Sequence, residues 1–290
     1  MFRGALTALV TPFRKGEIDH AALAELVEAQ IAAGIHGLVP CGSTGESATL
    51  THEEHIEIVH AVVRQARRRV PVLAGAGSNS TSEAISLTRG AEEAGADGAL
   101  LISPYYNKPT QEGIYRHYVA VAAATRLPVI IYNIPGRTAS NITPETLGRL
   151  AQVKNIAGVK EATGSLAQVI ETMAAGGPDF AVYAGDDILT LPIMAAGGLG
   201  AISVVSNVVP REFAELAEAL LAGDLVRSRA LAGRLLPLMR ALALEVNPIP
   251  VKTALALMGR CTDELRLPLT PMETPNRARL EVVLREHGLV

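Results

Sequence analysis

The chain has 290 residues, of which 49% are hydrophobic and 19% are charged. This composition supplies enough apolar surface for a large core and is unlike that of a disordered chain. The formal net charge of −3 argues against an electrostatic surface for nucleic acid or for an anionic membrane. The length fits one large domain or two average ones, and α/β barrels commonly reach this size as a single unit.

The cysteine content and the first residues indicate the cellular setting. Only two cysteines occur, Cys41 and Cys261, without the spacing of a metal site. We therefore expect no disulfide framework, which fits a reducing compartment. Residues 1–7 lack the features of a signal peptide, and no apolar run reaches membrane-spanning length. The sequence thus predicts a soluble, cytoplasmic protein.

Short apolar runs alternate with longer amphipathic runs up to about residue 222. The apolar runs are rich in Val, Ile and Leu, as expected of strands buried on both faces. They lie at residues 5–10, 37–40, 70–74, 98–102, 128–132, 156–160, 180–184 and 200–204. Helical patterns between them include residues 21–33, 52–67, 82–94, 112–125 and 166–175. This succession of strand–helix units predicts an α/β fold, a (β/α)8 TIM barrel over residues 1–222.

Local signals mark the ends of several helices. Thr51 precedes a helical run with Glu54 three residues later, which is the spacing of a capping box. Glycines at 34, 95 and 176 follow helical runs and predict where these end. After residue 222 the strand signals stop, and residues 225–244, 251–257 and 276–286 predict helices. We expect residues 223–290 to form a C-terminal helical domain that packs on the barrel. The first strand is not followed by Gly-x-Gly-x-x-Gly, which disfavours a dinucleotide-binding sheet.

Lys160 closes the sixth apolar run and is the strongest candidate for a reactive residue. A lysine at the end of a buried strand loses solvent, which disfavours its charged form and lowers its pKa. The resulting free amine can attack a carbonyl group to form a Schiff base. The alternative is a structural lysine that extends to water or pairs with Glu161.

The other predicted strand ends also carry polar side chains. A Gly-Ser-Thr-Gly turn at residues 42–45 is suited to holding a small anion. Tyrosines follow the fourth strand and end the fifth, Arg137 comes shortly after, and Gly185-Asp186-Asp187 follows the seventh. Each feature alone has an ordinary explanation as a helix cap, a packing residue or a surface charge. Because catalytic groups gather at this end of a barrel, together they favour an active site.

Five motifs resemble the dihydrodipicolinate synthase family, in order and along essentially the whole chain. They are Gly-Ser-Thr-Gly-Glu at 42–46, Pro-Tyr-Tyr-Asn-Lys-Pro at 104–109, Tyr-Asn-Ile-Pro-Gly-Arg-Thr at 132–138, Val-Lys-Glu-Ala-Thr-Gly at 159–164 and Asn-Pro-Ile-Pro-Val-Lys at 247–252. The Lys-Glu-Ala-Thr-Gly segment is typical of the wider pyruvate-dependent class I aldolase (N-acetylneuraminate lyase) superfamily. The motif that contains Arg137 narrows the resemblance to the synthases.

The resemblance implies a Schiff-base condensation of pyruvate with L-aspartate 4-semialdehyde, in lysine and diaminopimelate biosynthesis. Lys160 would form the Schiff base, and Tyr132 would be the central proton donor and acceptor. Ser43 and Tyr106 would complete a hydroxyl relay, with Tyr106 reaching into a neighbouring subunit's site. Because the protonated imine is the electron sink, we expect no organic cofactor and no metal.

The resemblance also implies how the substrates are held. Thr44 would hold the pyruvate carboxylate, and Ile202 would contact pyruvate through its backbone. Arg137 would guide the carboxylate of the second substrate, and Gly185 would line the pocket. The cross-subunit role of Tyr106 requires at least a dimer, and the resemblance implies a homotetramer built as a dimer of dimers.

Ser43 is a departure, because many of these synthases have threonine there. A Gly-Ser-Thr-Gly-Glu turn also resembles that of sialic acid lyases, so Ser43 bears on which substrate the protein uses. Since serine keeps the hydroxyl, a hydroxyl relay remains chemically possible. One alternative is a lyase that cleaves N-acetylneuraminate or a 2-keto-3-deoxy sugar acid, although such enzymes usually lack the Gly-Arg-Thr segment. Another is a ligand-binding regulator without catalysis, which would have no need of Lys160, Tyr132 and Ser43 together.

The resemblance also implies a second site. Lysine-inhibited members of the family bind L-lysine at a subunit interface, and several positions of this chain match the ones that they use. They are Ser47, Ala48, His52, His55, Asn79, Glu83 and Tyr105. Glu83 would take the α-ammonium group of the ligand, and His55 would contact its side chain. Alternatively, the two histidines lie on the exposed first turn of a helix. Their order and spacing differ from a His-Glu-x-x-His zinc motif.

Overall fold

Eight parallel strands form a nearly closed barrel in the computed structural model, which describes residues 2–290. In chain order they are β1 (Gly4–Ala8), β2 (Gly37–Val39), β3 (Leu73–Gly75), β4 (Gly98–Ile102), β5 (Val129–Asn133), β6 (Ile156–Glu161), β7 (Ala181–Ala184) and β8 (Gly200–Ser203). The hydrogen-bonded order is β2-β1-β8-β7-β6-β5-β4-β3. The remaining seam is joined where Leu38 bridges Val72 and the Gly75 N–H donates to the Pro40 carbonyl over 2.9 Å. The predicted TIM barrel is confirmed.

Nine helices alternate with or follow these strands within the barrel region of the described chain. They are α1 (His20–Ala32), α2 (His52–Ala66), α3 (Thr81–Glu93), α4 (Gln111–Ala123), α5 (Pro135–Thr138), α6 (Pro144–Leu150), α7 (Leu166–Gly176), α8 (Thr190–Ala195) and α9 (Pro210–Leu221). Short 3-10 helices occur at Ser47–Thr49, Asp187–Leu189 and Val205–Asn207. A small hairpin of Phe13–Arg14 and Glu17–Ile18, which the sequence pattern did not indicate, follows β1.

Local chemistry explains where the predicted boundaries hold and where they fail. The Thr51–Glu54 capping box is present at the start of α2. The third strand begins at Leu73 and not at residue 70, since Pro71 has no N–H to donate to a ladder. Helix α7 continues through Gly176, and Gly177 has the positive φ of 77° that ends it. Gly176 instead packs against the Phe180 ring, where a Cβ atom would collide.

The C-terminal helical region consists of α10 (Leu225–Ala241), α11 (Ile249–Leu257) and α12 (Thr274–Glu286). Helix α10 packs against α9 and α12, and α11 also packs against α12. Their apolar faces join the main core through residues such as Leu235, Leu238, Leu280 and Leu284. The segment between α10 and α11 reaches the end of the barrel at which the strands finish. No helix within residues 2–290 combines the length and apolarity needed to cross a membrane.

A second, smaller core fills the inside of the barrel. Its buried members include Leu6, Val39, Ile130, Tyr183 and Ile202, which come from different strands. Tyr132 is the last residue of β5 but one, and its register partner on β6 is Lys160. The barrel therefore places a phenol and an amine side by side at the upper limit of an apolar interior.

Candidate active site

A cavity of about 340 Å³ lies where the strands end, and it gathers most of the residues predicted for catalysis and substrate binding. Predicted residues that line it are Ser43, Thr44, Tyr132, Arg137, Lys160 and Gly185. The C-terminal helical region contributes Met239, Leu242, Ala243, Glu245 and Asn247. The cavity wall is thus built from both parts of the chain, which the sequence pattern did not indicate.

Lys160 lies in the wall of this cavity, at 5% exposure. Its Nζ atom is 4.2 Å from the centre of the Tyr132 ring. Gly185 packs on its side chain, because a Cβ atom there would come within 3.1 Å of the Lys160 Cε. Burial lowers the pKa of Lys160 to about 8, although the Asp187 carboxylate opposes this shift. An appreciable fraction of the side chain is therefore a free amine near neutral pH.

The structural alternative for Lys160 is wrong. The side chain does not extend to water, and Glu161 contacts other groups. The Glu161 carboxylate accepts hydrogen bonds from the Asn133 amide at 3.3 and 3.4 Å and from the Thr163 N–H at 3.2 Å. Since neighbouring residues on a strand point to opposite faces, Glu161 supports the loops outside the barrel while Lys160 faces the cavity.

Tyr132 has the burial and the position of a proton-transfer group. Burial raises the pKa of its phenol to about 12, while Arg137 and the Ser43 hydroxyl lower it. The phenol therefore holds its proton near neutral pH and can donate it to a developing alkoxide or amine. The nearby cation and hydroxyl reduce the free energy needed to form the phenolate when the proton leaves.

The turn at residues 42–46 presents Thr44 to the cavity. The Thr44 Oγ1 accepts a hydrogen bond of 2.9 Å from the Asn247 amide. The backbone carbonyl of Asn247 in turn accepts a 2.8 Å hydrogen bond from the Arg137 guanidinium. Asn247 therefore links the turn at residues 42–46 to the Arg137 side of the cavity. The sequence showed its motif but gave it no role.

Asp187 is a second residue whose contribution only the structure reveals. Its Oδ2 accepts hydrogen bonds from the N–H groups of Val204 and Val205, at 3.1 and 2.8 Å. Burial raises the pKa of this carboxyl, and hydrogen bonding from Ser203 and these backbone groups opposes the shift. These hydrogen bonds hold the Asp187 carboxylate beside the cavity, where its negative charge raises the pKa of Lys160.

Reaction of Lys160 with a carbonyl compound should depend on pH in a way that Asp187 controls. For the unmodified protein we expect the rate of imine formation to rise with pH up to about 8 and then level off. Replacing Asp187 with Asn removes the charge that raises the pKa of Lys160, so the plateau should begin at lower pH. Borohydride quenching of imine formation from pH 6 to 10 measures both profiles.

Asp186→Asn is the matched control for this experiment. Asp186 lines the same cavity and caps the Ile188 N–H, but it is not among the groups that shift the pKa of Lys160. An equal displacement of the profile in both variants, or none in Asp187→Asn, would contradict the role given to Asp187.

Two predicted catalytic or substrate residues lie outside the cavity. Tyr106 is 88% exposed on the loop after β4, with a positive φ of 70°. Ile202 is buried in the core inside the barrel, and Val204 two residues later is the one that lines the cavity. The role predicted for Tyr106 is therefore not carried by the cavity of a single chain, whereas the Ile202 backbone lies only two residues before the cavity lining at Val204.

The residues predicted for the second site lie near each other, beside the turn at residues 42–46. His52 contacts Glu83 at 2.7 Å, Glu83 also accepts from Ser78, and the Asn79 amide donates to the Tyr105 carbonyl at 3.1 Å. Ser47 and Ala48 begin the 3-10 helix that follows the turn. Ser47 also shares a small cavity of about 30 Å³ with Ser43 and Tyr132.

The exposed-turn alternative applies to only one of the two histidines. His52 is exposed, whereas His55 is 5% exposed and its Nε2 lies 2.6 Å from the Gly75 carbonyl oxygen. Burial lowers the pKa of His55, so its ring is neutral at physiological pH and donates this hydrogen bond. The His55 side chain therefore contacts the end of β3, at the seam between β2 and β3.

The model of the dihydrodipicolinate synthetase family matches residues 1–287 of the chain. The chain belongs to this family. A curated relative from Nitratidesulfovibrio vulgaris, named 4-hydroxy-tetrahydrodipicolinate synthase, is 56% identical over 290 residues, which are 100% of this chain and 99% of the relative. The protein is accordingly an enzyme of the lyase type that this family comprises.

Solved structures of family members share the complete fold. A chloride-inhibited dihydrodipicolinate synthase from Acinetobacter baumannii, complexed with pyruvate, is 42% identical with a TM-score of 0.98, and the match covers 100% of both chains. A family member from Cyanidioschyzon merolae with lysine bound is 41% identical with a TM-score of 0.96, covering 100% of this chain and 99% of that one. The barrel and the helical region described above are therefore shared architecture.

Proposed function

We propose that the enzyme condenses pyruvate with L-aspartate 4-semialdehyde to form 4-hydroxy-tetrahydrodipicolinate, a step of lysine and diaminopimelate biosynthesis. The buried Lys160 beside the Tyr132 phenol is the observation that carries this proposal. The names of the curated relatives and the pyruvate complex of a family member support it.

The chemistry follows from the groups around the cavity. The Lys160 amine attacks the ketone carbon of pyruvate, and loss of water gives a protonated imine. This cation takes up the electrons of a methyl C–H bond as the proton leaves, which gives an enamine. The enamine carbon bonds to the aldehyde carbon, whose oxygen becomes a hydroxyl group. The amine of the second substrate then displaces the Lys160 amine, which closes the ring and returns the free enzyme.

Each polar group has a place in this sequence. Tyr132 donates and accepts the protons of imine and hydroxyl formation, and Ser43 lies close enough to influence the phenol. The Thr44 hydroxyl binds the pyruvate carboxylate, the backbone near Ile202 contacts pyruvate, and Gly185 leaves room beside Lys160. The imine itself is the electron sink, so these roles require no cofactor and no metal.

A direct comparison of substrates tests this function. Pyruvate with aspartate semialdehyde, coupled to the reductase that consumes the product, should give turnover that depends on both compounds. N-Acetylneuraminate and 2-keto-3-deoxy sugar acids should give no release of pyruvate above background. Efficient cleavage of a sugar acid without condensation would overturn the proposal in favour of a sugar-acid lyase. Absence of both reactions would favour a non-catalytic binding protein.

Arg137 should determine the second substrate. Its guanidinium lines the cavity and is fixed by the Asn247 carbonyl, where it can pair with the carboxylate of aspartate semialdehyde. For Arg137→Ala we expect kcat/KM for aspartate semialdehyde to fall on the order of 100-fold, the scale of a lost charge pair. Trapping of the pyruvate imine should change much less. Steady-state kinetics and borohydride trapping measure the two effects.

Arg126→Ala is the control for this variant, because Arg126 is an exposed arginine that pairs with Glu92 away from the cavity. Loss of pyruvate trapping in Arg137→Ala to the same extent as loss of condensation would contradict a role specific to the second substrate.

We further propose that the enzyme works as a homotetramer, arranged as a dimer of dimers, in which Tyr106 enters a neighbouring subunit's site. The support is the 88% exposure of an aromatic ring on a loop next to the cavity-forming strands. Tyr106 would there complete the hydroxyl relay with Ser43 and Tyr132. A protein that is monomeric in sedimentation velocity and fully active in the coupled assay would contradict this arrangement.

L-Lysine is the proposed feedback inhibitor, bound by the cluster of His52, His55, Glu83 and their neighbours at a subunit interface. The family member that has lysine bound supports this assignment. Glu83→Gln should weaken inhibition by millimolar L-lysine at least about tenfold, because the charge that would pair with the α-ammonium group is lost. Glu93→Gln, on the exposed part of the same helix, is the control. Equal inhibition of both variants would rule out this site.

A further inference from the structure

The anion-binding turn at residues 42–46 is held in an unusual backbone conformation. Cys41 before it and Glu46 at its end have φ values of 54° and 56°, although neither is glycine. Such residues cost free energy and persist only where the surroundings hold them in place. Within the turn, the Gly45 and Glu46 N–H groups donate to the carbonyls of Gly42 and Ser43 at 3.0 and 3.2 Å. These short contacts alone do not explain why the turn keeps its position relative to Lys160.

The side chain of Glu46 points away from the cavity, into a buried ion pair. Its Oε1 lies 2.6 Å from the Nζ of Lys252 on α11, and both side chains are at most 1% exposed. Its Oε2 accepts a 3.1 Å hydrogen bond from the backbone N–H of Arg266. The Lys252 Nζ also lies 4.4 Å from the centre of the Phe13 ring. Both carboxylate oxygens of Glu46 are thus held by the C-terminal helical region.

The C-terminal helical region also contacts the cavity side of the turn. Asn247 lies five residues before Lys252 and donates from its amide to the Thr44 Oγ1 at 2.9 Å. This bond occupies a lone pair of the Thr44 oxygen, which leaves its hydroxyl hydrogen free for an acceptor in the cavity. Residues 247–252 therefore hold the turn at Thr44 on one side and at Glu46 on the other.

Stabilisation of the fold does not by itself explain why a charged pair is buried at this position. Burial lowers the pKa of Lys252, and the Glu46 carboxylate opposes that shift, so the charged pair exists against a desolvation penalty. Well-packed apolar side chains of similar volume often replace such pairs with no loss of stability. A charged pair with short, directional contacts does fix geometry, which is what a site for a small carboxylate needs.

We infer that the Glu46–Lys252 pair is a positioning device that sets Ser43 and Thr44 for the pyruvate carboxylate, so that the C-terminal helical region is a working part of the pyruvate site. This inference rests on the proposed function. Neither side chain lines the cavity, and both act through the turn. The prediction is a selective effect on pyruvate, because the aspartate semialdehyde carboxylate is bound on the Arg137 side.

The test compares a double variant, Glu46→Met with Lys252→Met, with the unmodified enzyme. Removing both charges leaves no unpaired ion, so the thermal midpoint should stay close to that of the unmodified enzyme. The pyruvate concentration for half-maximal borohydride trapping should nevertheless rise on the order of tenfold, since a small misplacement of binding groups is costly. The KM for aspartate semialdehyde should change by less than about twofold.

Two further variants separate positioning from folding. Glu46→Gln leaves the buried Lys252 charge unpaired and should lower the thermal midpoint. Its amide oxygen can still accept from the Lys252 Nζ, so the pyruvate titration of the folded protein should stay within about threefold of the unmodified enzyme. Glu46→Asp keeps the charge but shortens the reach, and it should raise the pyruvate requirement even where the double variant fails to fold. Arg277→Met breaks a partly exposed pair with Asp263 in the same helical region and should leave the titration unchanged.

Failure of the positioning role would give a different result from failure of the proposed function. An unmodified enzyme that pyruvate and borohydride do not label would refute the function itself, before any variant is compared. An unmodified enzyme that is labelled, with a folded double variant or Glu46→Asp that titrates identically, would refute only the positioning role. An equal weakening of the binding of both substrates would show that the pair stabilises the fold in general and does not position the turn for pyruvate.

Discussion

Replacing Lys160 with methionine should abolish condensation, with a fall in kcat of at least about 1,000-fold, because no other group replaces covalent catalysis. Methionine fills a similar volume in the wall of the cavity, where the lysine is almost completely buried, so the barrel should remain folded. It cannot form an imine, and without the imine the pyruvate methyl group is not acidic enough to lose a proton. The coupled condensation assay at saturating substrate concentrations measures the loss.

Lys154→Met is the control for this variant. Lys154 is exposed just before the same strand and does not line the cavity that contains Lys160, so its replacement should leave kcat unchanged. A folded Lys160→Met protein with a kcat within tenfold of the unmodified enzyme would show that the reaction does not pass through this amine.

Replacing Tyr132 with phenylalanine should lower kcat by about 100- to 10,000-fold, the range of a lost general acid–base group. The ring that lies 4.2 Å from the Lys160 Nζ is retained, so the packing around the amine should change little. What is lost is a proton donor whose pKa burial raises to about 12 and which Arg137 and Ser43 assist. Steady-state rates combined with the rate of imine trapping show which step slows.

Tyr183→Phe separates this effect from the loss of any buried phenol. Tyr183 lies in the core inside the barrel, where its hydroxyl donates to the Phe2 carbonyl at 2.7 Å. Its replacement should cost about 1 kcal/mol of stability and leave turnover nearly intact. Comparable losses of kcat in both variants would argue that Tyr132 acts by packing and not by proton transfer.

The barrel can be predicted from the sequence because its signals are local. Buried parallel strands are short, apolar runs, and the helices between them carry their own start and stop signals, such as the Thr51 capping box. The errors occur where a local signal is ambiguous. Two adjacent glycines follow the core of α7, and only the packing of Gly176 on Phe180 decides that Gly177 ends the helix.

Much of the site can also be predicted, since a barrel brings the ends of its strands together. Lys160, Tyr132, Thr44 and Arg137 meet in one cavity although they come from separate strands and loops. The pKa of Lys160 follows from its burial, which the position at the end of a buried strand already indicated.

The contacts made by the C-terminal helical region could not be predicted. Glu46 and Lys252 are 206 residues apart, and no periodic pattern tells which side chains of a terminal helix face a distant loop. The same holds for Asn247 and Thr44, 203 residues apart. The burial of His55 on the first turn of α2 also depends on a tertiary contact, with the Gly75 carbonyl.

Mass spectrometry of the unmodified enzyme after treatment with pyruvate and borohydride tests directly whether Lys160 forms the Schiff base. Each chain should gain the mass of one reduced pyruvate unit, and fragmentation should place it on Lys160. Borohydride alone should add nothing, and exposed lysines such as Lys154 should stay unmodified. Absence of the adduct, or its location on another lysine, would contradict the assignment of Lys160 as the Schiff-base nucleophile.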